Sequence, residues 1–234
     1  MSGILYLLPC PISDAPAETV LPDGVLGIAR RLSYFLAENA KSTRAYLKSI
    51  GHPTPLRELD IVEIGHEPAR DMIDGWLAPL IAGRDGALVS EAGCPAVADP
   101  GAALVLVAHR EGIPVMPLIG PSSILLALMA SGLGGQRFAF HGYLPTKEPE
   151  RSQTIRTLEQ TARRDRATQL FIETPYRSAA LLDALAQTLA PTTLISVGAD
   201  LSLPSQWIQT RSAKNWRGQT DAAKDRLAVF GIGV

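Results

Sequence analysis

Residues 86–125 read GALVSEAGCPAVADPGAALVLVAHREGIPVMPLIGPSSIL, and this stretch decides the fold class. Two short apolar runs within it, residues 87–89 and 113–118, have the length and β-branched content of buried strands. Each run opens into a loop rich in glycine, proline and small residues, and each loop opens into an apolar helical segment. The repeated order of strand, turn and helix predicts a parallel sheet.

The two loops, residues 90–101 and 120–123, are the predicted ligand site. Ligands of parallel sheets bind outside the carboxyl ends of the strands, where backbone N–H groups and helix N-termini gather. Small side chains in SEAGCPAVADPG let the backbone approach a ligand closely. The chain contains neither Gly-x-x-x-x-Gly-Lys nor Gly-x-Gly-x-x-Gly, which disfavours nucleoside triphosphates and dinucleotides. The pattern favours a nucleoside without phosphates, and a purely structural turn is the alternative.

Composition is typical of a soluble globular protein, with 46% hydrophobic and 19% charged residues in 234. The first residues have no basic segment and too short an apolar run for a signal peptide or a membrane span, so a cytoplasmic location without membrane association is expected. Two cysteines, Cys10 and Cys94, fit a reducing compartment. No Cys/His spacing indicates zinc, and no metal site is predicted.

The net charge of −1 does not indicate nucleic-acid binding. Residues 1–118 hold nine Lys and Arg against fourteen Asp and Glu, whereas residues 119–234 hold thirteen against nine. Basic residues between 137 and 166 could follow a phosphate backbone. Acidic residues are interleaved with them, so a solvated helix face is the competing interpretation.

The rest of the chain predicts two domains. Up to residue 86, strands alternate with helices, one of which is expected over residues 43–50 with Ser42 as its N-cap. An apolar helix is expected over residues 121–130. Beyond it, strands follow one another with few crossover helices, which predicts a mixed or antiparallel sheet. The predicted fold is therefore α/β, with a parallel sheet in domain 1–118 and a mixed sheet in domain 119–234.

Five ordered stretches resemble the tetrapyrrole methylase superfamily of S-adenosylmethionine (SAM) enzymes, and within it the branch of ribosomal RNA small-subunit methyltransferase I. They are LYLLPCPISD at 5–14, SEAGCPAVADPG at 90–101, GPSS at 120–123 followed by LALMASGL, FAFHGYLPTKEPER at 138–151, and LFIETPYR at 170–177. The resemblance spans nearly the whole chain. It implies a two-domain fold with SAM in the cleft between the domains, and a homodimer.

The resemblance also implies which residues surround the cofactor. Carried over position by position, the SAM-binding residues are Pro9 on the substrate side, Gly93, Cys94, Val97, Ala98, Ser122, Ser123, Phe171, Glu173, Thr174, Pro175, Ala199 and Thr210. Two segments depart from the branch: AENA at 37–40 replaces an EDTR-like sequence, and VGADLS at 197–202 replaces a RELTK-like sequence. Both departures fall where the second substrate is expected to bind.

Methyl transfer to a hydroxyl needs a base or an oriented water that removes the acceptor's proton. Glu91 is the first candidate because it follows a strand closely and heads the key loop, and Glu38, Lys147 and His141 are the others. Each has a structural alternative: a paired surface charge, a solvated loop residue or, for His141, a core histidine. Three functions remain open at this point: 2'-O-ribose methylation of small-subunit rRNA, methylation of a tetrapyrrole-like or other small molecule, and SAM binding without turnover.

Overall fold

The computed structural model describes residues 2–234 and divides the chain into two compact units. The boundary falls between Ser122 and Ser123. No helix among the described residues is long and apolar enough to cross a membrane.

The first unit is built on a parallel five-stranded sheet, which confirms the predicted sheet type. Its strands are β1 (Leu5–Leu8), β2 (Tyr34–Ala37), β3 (Asp60–Glu63), β4 (Gly86–Val89) and β5 (Val115–Pro117), in the order β3-β2-β4-β1-β5. Its helices are α1 (Ala17–Val20), α2 (Asp23–Arg31), α3 (Ala40–Ser49), α4 (Ile73–Ile81) and α5 (Ala102–Arg110). All neighbouring strands run parallel.

Helices cover both faces of this sheet, which explains the continuous apolar runs of its strands. On one face, Phe35 and Val89 pack with residues of α2 and α3. On the other face, Leu36 and Leu88 pack with residues of α4 and α5. All four residues of β4 are buried, so the loop that leaves β4 starts from a rigid strand.

Asn39, and not Ser42, caps helix α3. The Asn39 side chain accepts hydrogen bonds from the backbone N–H groups of Lys41 (2.9 Å) and Ser42 (3.1 Å). The Ser42 hydroxyl instead donates back to the Asn39 carbonyl at 3.0 Å. The helix therefore begins at Ala40, three residues before the predicted start. Asparagine in an extended conformation is as good an N-cap as serine, and it comes first in the chain.

The second unit contains the predicted mixed sheet. Its strands are β6 (Phe138–Tyr143), β7 (Thr168–Glu173), β8 (Leu194–Ala199), β9 (Trp207–Ser212) and β10 (Ala228–Gly233), in the order β6-β7-β10-β8-β9. Its helices are α6 (Ser123–Ser131), α7 (Glu150–Asp165), α8 (Pro175–Thr188) and α9 (Ala213–Trp216). Only β6 and β7 pair in parallel, and the other pairs are antiparallel.

The core of the second unit lies on both sides of this sheet. Residues of α7 and α8 pack with Phe171, Phe230 and other residues of the strands. Ile124 and Leu128 of α6 pack with Leu170 in a separate cluster. The apolar segment predicted over residues 121–130 is thus a helix, which begins at Ser123.

Candidate functional site

The loop that follows β4 holds an unusual backbone conformation. Gly93 (φ +71°) and Gly101 (φ +117°) are left-handed, as glycines can be. Ala96 (φ +64°) and Ala98 (φ +60°) are left-handed too, which costs an alanine about 1–2 kcal/mol. Strained residues of this kind persist where the surroundings hold them, and they cluster at ligand sites.

Gly93 anchors this loop to the loop after β1. It exchanges two backbone hydrogen bonds with Cys10, of 2.9 and 3.1 Å. A Cβ atom at Gly93 would lie 3.4 Å from the nearest atom, on Ile12, which is an ordinary contact. The positive φ at Gly93, and not a lack of space, therefore favours glycine here.

A third loop, after β5, joins the first two. A Cβ atom on Gly120 would lie 2.2 Å from the Pro9 side chain, so the two backbones approach as closely as glycine allows. The Cys94 thiol lies 3.4 Å from the Pro121 carbonyl oxygen. The structure therefore brings the predicted residues Pro9, Gly93 and Cys94 together at the carboxyl ends of β1, β4 and β5.

Four titratable side chains form what we call the edge cluster: Glu38, His66, Glu91 and Asp99. Glu38 directly follows β2, His66 lies just beyond β3, and Glu91 and Asp99 belong to the loop after β4. The Glu38 carboxylate is buried (6% exposed) and accepts from His66 Nδ1 at 2.7 Å and from the Glu91 backbone N–H at 2.9 Å. The ends of three neighbouring strands are thereby tied together through one carboxylate.

Burial and neighbouring charges at the edge cluster favour the protonated form of Asp99. Burial, together with the charges of Glu38 and Glu91, raises the pKa of Asp99 to about 6, although His66 and a hydrogen bond with Ser90 act against this shift. Burial raises the pKa of the nearby Cys10 thiol to about 12, so that cysteine stays a neutral thiol. Protonation of Asp99 consequently changes close to neutral pH.

Sequence reasoning ranked Glu91 and Glu38 as candidate bases and missed His66 and Asp99. Asp99 belongs to the quoted loop, but nothing in the sequence indicates that two other carboxylates lie beside it. His66 stands alone in an irregular segment after β3, and only the pairing of β2 with β3 brings it to Glu38. Both glutamates do lie at the predicted edge of the sheet.

The donor atoms of Glu38, His66 and Glu91 lie within 4.8 Å of one another, a spacing that a divalent cation could bridge. Both oxygens of Glu38 already have partners, however. The simpler interpretation of this geometry is a histidine–carboxylate pair.

A cavity of about 410 Å³ lies beside the edge cluster and shares Glu91 with it. Carboxylates and hydroxyls dominate its polar lining, including Asp14, Glu18, Ser42 and Tyr46. No lysine or arginine is among its lining residues in the described part of the chain. The cavity therefore suits an uncharged or hydrogen-bond-donating group better than a phosphate or a carboxylate.

In the second unit, several side chains of the LFIETPYR segment pack or form hydrogen bonds within the unit itself. The Phe171 side chain is fully buried and stacks on Phe230 with the ring centroids 5.9 Å apart. Oε1 of the buried Glu173 accepts from the Arg177 guanidinium at 2.6 Å and from the Thr174 backbone N–H at 2.7 Å. At Phe171, only the backbone is thus left to reach a ligand. Pro175 opens helix α8.

The remaining candidates of the second unit are dispersed. Ala199 is buried at the end of β8, and the Thr210 hydroxyl donates to the Ser131 carbonyl at 2.6 Å. Lys147 is exposed in the loop before α7. His141 is exposed, not a core residue, and its Nε2 lies 2.8 Å from the Gln169 amide oxygen. Ser122 and Ser123 flank the boundary between the units.

Arginines of helix α7 and its surroundings are largely paired with neighbouring acids. Arg151 contacts Glu148 at 2.8 Å, Arg163 contacts Glu159 at 3.2 Å, and Arg164 contacts Asp165 at 2.7 Å. These pairs agree with a solvated helix face, although exposed pairs of this kind are weak and can exchange partners.

The chain is similar in sequence and in fold to known methyltransferases. Residues 22–215 match the family of Tetrapyrrole (Corrin/Porphyrin) Methylases. The chain is 35% identical over 231 residues to Ribosomal RNA small subunit methyltransferase I of Mesorhizobium japonicum, covering 96% of this chain and 74% of that protein. It is 35% identical over 182 residues to the protein of the same name from Halalkalibacterium halodurans, covering 77% of this chain.

The chain spans only 58% of the length of the Halalkalibacterium halodurans protein. Among solved structures, the methyltransferase CobJ aligns with a TM-score of 0.64 at 21% identity, covering 99% of this chain and 94% of that one. At that identity the likeness concerns the fold alone.

Proposed function

Because this chain belongs to the tetrapyrrole methylase family, we propose that it is a SAM-dependent methyltransferase. The observation that carries the proposal is the strained loop of residues 90–101, held against Cys10 and placed beside Gly120. A loop of small residues with left-handed alanines presents backbone N–H and C=O groups to a ligand. That is the kind of surface that a sulfonium nucleoside without phosphates requires.

In this proposal the backbone of residues 93–98 and the close approach of Pro9 and Gly120 hold SAM on the first unit. The resemblance also assigns SAM-binding residues to the second unit, at the ends of β7 and β8, within β9 and at the first turns of α6 and α8, where a helix presents free N–H groups. Those residues are Ser123, Glu173, Thr174, Pro175, Ala199 and Thr210, with the backbone at Phe171.

The reaction is an in-line displacement at the methyl group. An electron pair of the acceptor forms the new bond to carbon, the S–CH₃ bond breaks towards sulfur, and the acceptor's proton must leave. Holding the reactants in line can supply roughly 7–11 kcal/mol of the barrier. The chain's part is therefore to position both reactants and to supply a proton acceptor. In the first unit, the edge cluster supplies this proton acceptor. The candidates that the sequence indicates are Glu91, Glu38 and Lys147.

The proposed acceptor is a ribose 2'-hydroxyl of small-subunit rRNA. The names of the relatives at 35% identity support an rRNA substrate. A second candidate is a small molecule, favoured by the cavity with Asp14, Glu18 and Glu91 in its lining. That lining repels carboxylates, so the small acceptor would be uncharged or cationic and not a polycarboxylate tetrapyrrole.

The experiment incubates the protein with methyl-labelled SAM and with small ribosomal subunits, total RNA and the small-molecule fraction of a lysate in parallel. Label in the ribosomal subunits, with binding that weakens steeply as salt rises, supports the rRNA acceptor. Label in small molecules alone supports the second candidate. SAM binding by calorimetry without label in any fraction would leave a SAM-binding protein and overturn the enzymatic proposal.

We also propose that the chain forms a homodimer, as the resemblance implies, and works in the cytoplasm. Light scattering coupled to size-exclusion chromatography measures the mass directly. A mass near 25 kDa, that of one chain, would contradict the dimer.

A further inference from the structure

The pair formed by His66 and Glu38 has the construction of a catalytic base and its orienting carboxylate. Glu38 is held firmly, because its own backbone N–H donates to the Val89 carbonyl at 2.9 Å and its second oxygen accepts from the Glu91 N–H. The His66 side chain, by contrast, is 73% exposed. A buried carboxylate thus holds one nitrogen of an imidazole whose body faces solvent.

The contact determines which nitrogen of His66 can take a proton. Since the Glu38 carboxylate accepts, Nδ1 of His66 carries the hydrogen in this contact at 2.7 Å. In the neutral ring, Nε2 then has a free lone pair. Among residues 2–234, Nε2 has no hydrogen-bond partner in the structure.

We propose that His66 accepts the proton of the methyl acceptor and that Glu38 is its positioning residue. This inference rests on the proposed methyl transfer. As the acceptor's electron pair forms the bond to the methyl carbon and SAM leaves as S-adenosylhomocysteine, the acceptor's proton passes to Nε2 of His66. The imidazolium then releases that proton to water, so the step needs no further reactant.

The charges around His66 favour it over its acidic neighbours. Glu38 follows β2, while Glu91 and Asp99 belong to the loop after β4; all three carboxylates interact within the edge cluster. A carboxylate base repels the negative charge that develops on an acceptor oxygen, whereas a neutral imidazole does not. Once protonated, the imidazolium is stabilised by the carboxylates around it. The same arrangement, a carboxylate that fixes the tautomer and stabilises the cation, serves histidine bases in other enzymes.

The kinetic test compares His66→Gln with the wild type and with His109→Gln, using single turnover at saturating SAM on whichever fraction the wild type labels. His109 is an exposed histidine in the last turn of α5 and serves as the matched control. Loss of a general base costs about 10²–10⁴-fold. We expect a loss of at least about 100-fold for His66→Gln, with SAM affinity unchanged and His109→Gln at the wild-type rate.

Normal turnover by His66→Gln overturns the inference and leaves the proposed function intact. Absence of transfer by the wild type removes the proposed function, and the catalytic pair with it. A rate that EDTA abolishes and Mg²⁺ or Mn²⁺ restores overturns the inference in favour of a cation held by Glu38, His66 and Glu91.

A second test separates a positioning role of Glu38 from a structural one. Glu38→Gln keeps the size of the side chain but removes a negative charge next to the imidazolium. When the methyl-transfer rate is plotted against pH, the fall in rate on the acidic side is therefore expected at lower pH for Glu38→Gln than for the wild type. A purely structural defect would not cause this shift. In ¹⁵N NMR of the wild type, neutral His66 should be the Nδ1–H tautomer. An Nε2–H tautomer of His66, or a pH–rate profile of Glu38→Gln that is not shifted, overturns the proposed pairing of Glu38 with His66.

Discussion

A Cβ atom built on Gly120 would stand 2.2 Å from the Pro9 Cβ atom, well inside the distance that real carbon atoms keep. Gly120 follows β5 and Pro9 follows β1, so the contact joins the ends of two neighbouring strands. Proline cannot move aside by changing its φ, because its ring fixes that angle. The position of the loop at residues 120–123 therefore depends on the absence of a side chain at Gly120.

Gly120→Ala should lower the free energy of unfolding by about 1–3 kcal/mol, the usual cost of overpacking, and should weaken SAM binding because the loop must shift. Gly75→Ala is the matched control. Gly75 lies in helix α4 with open space around its Cα atom, and alanine there should be neutral or stabilising by up to about 1 kcal/mol. Denaturant titration and calorimetry with SAM measure the two effects. Equal stability of the two variants would show that the strand ends tolerate a wider spacing.

Ala98 tests whether the strained loop serves the ligand. Since Ala98 has φ +60°, Ala98→Gly should raise the free energy of unfolding by about 1 kcal/mol. Ala98→Val should lower it by more than that, because β-branched residues tolerate positive φ least. Only the valine variant should lose SAM affinity, since its side chain also crowds the backbone that we propose to face the cofactor. Retained SAM affinity in Ala98→Val would argue against a cofactor site at this loop.

Much of the fold could be predicted because the signals are local. The apolar runs of β1 and β4 and the glycine- and proline-rich turns after these two strands indicate parallel strands without any knowledge of tertiary contacts. The predicted start of α3 is wrong because Asn39 and Ser42 are both good N-caps. The hydrogen bonds of Asn39 decide between them, and these depend on how the chain leaves β2.

The candidate site was predictable to a smaller extent. Its position at the strand ends follows from the sheet type, and Pro9, Gly93 and Cys94 do lie together there. The pair of His66 and Glu38 depends on strand order, since β2 and β3 are neighbours only in the folded sheet. The shifted pKa of Asp99 depends on burial and on charges from other segments of the chain. Neither the burial nor these neighbours can be predicted from the spacing of residues in the sequence.

Glu173 provides a prediction about the second unit. Its buried carboxylate accepts from Arg177 and from the Thr174 backbone N–H. Glu173→Gln should therefore lower the thermal midpoint, because an amide cannot replace the charge that faces the guanidinium. Asp183→Asn in α8 is the control, since Asp183 is exposed and its loss should change the midpoint little. If Glu173→Gln abolishes SAM binding at an unchanged midpoint, the carboxylate serves the cofactor more than the fold.

Asp99 couples the stability of the first unit to pH. Its pKa is about 6 in the folded chain against an ordinary value of 3.8. A carboxyl with a raised pKa favours the folded state below the ordinary value and loses that contribution as pH rises through about 6. Above pH 6 the folded chain must keep a charged Asp99 near Glu38 and Glu91. The full shift corresponds to about 3 kcal/mol, and solvent screening at this half-exposed group reduces it to about 1 kcal/mol.

Asp99→Asn removes the charge and keeps the shape of the side chain, so it should stabilise the protein by about 1 kcal/mol at pH 8. The advantage should shrink as pH falls below about 6 and be largely lost at pH 4, where Asp99 is neutral in the folded chain and only partly ionised in the unfolded chain. Urea titrations at pH 4, 6 and 8 measure the difference, with Asp71→Asn as the control because Asp71 is exposed. If Asp99→Asn stabilises the protein equally at all three pH values, removal of the charge on Asp99 is not the cause. Burial and the charges of Glu38 and Glu91 then do not disfavour an ionised Asp99.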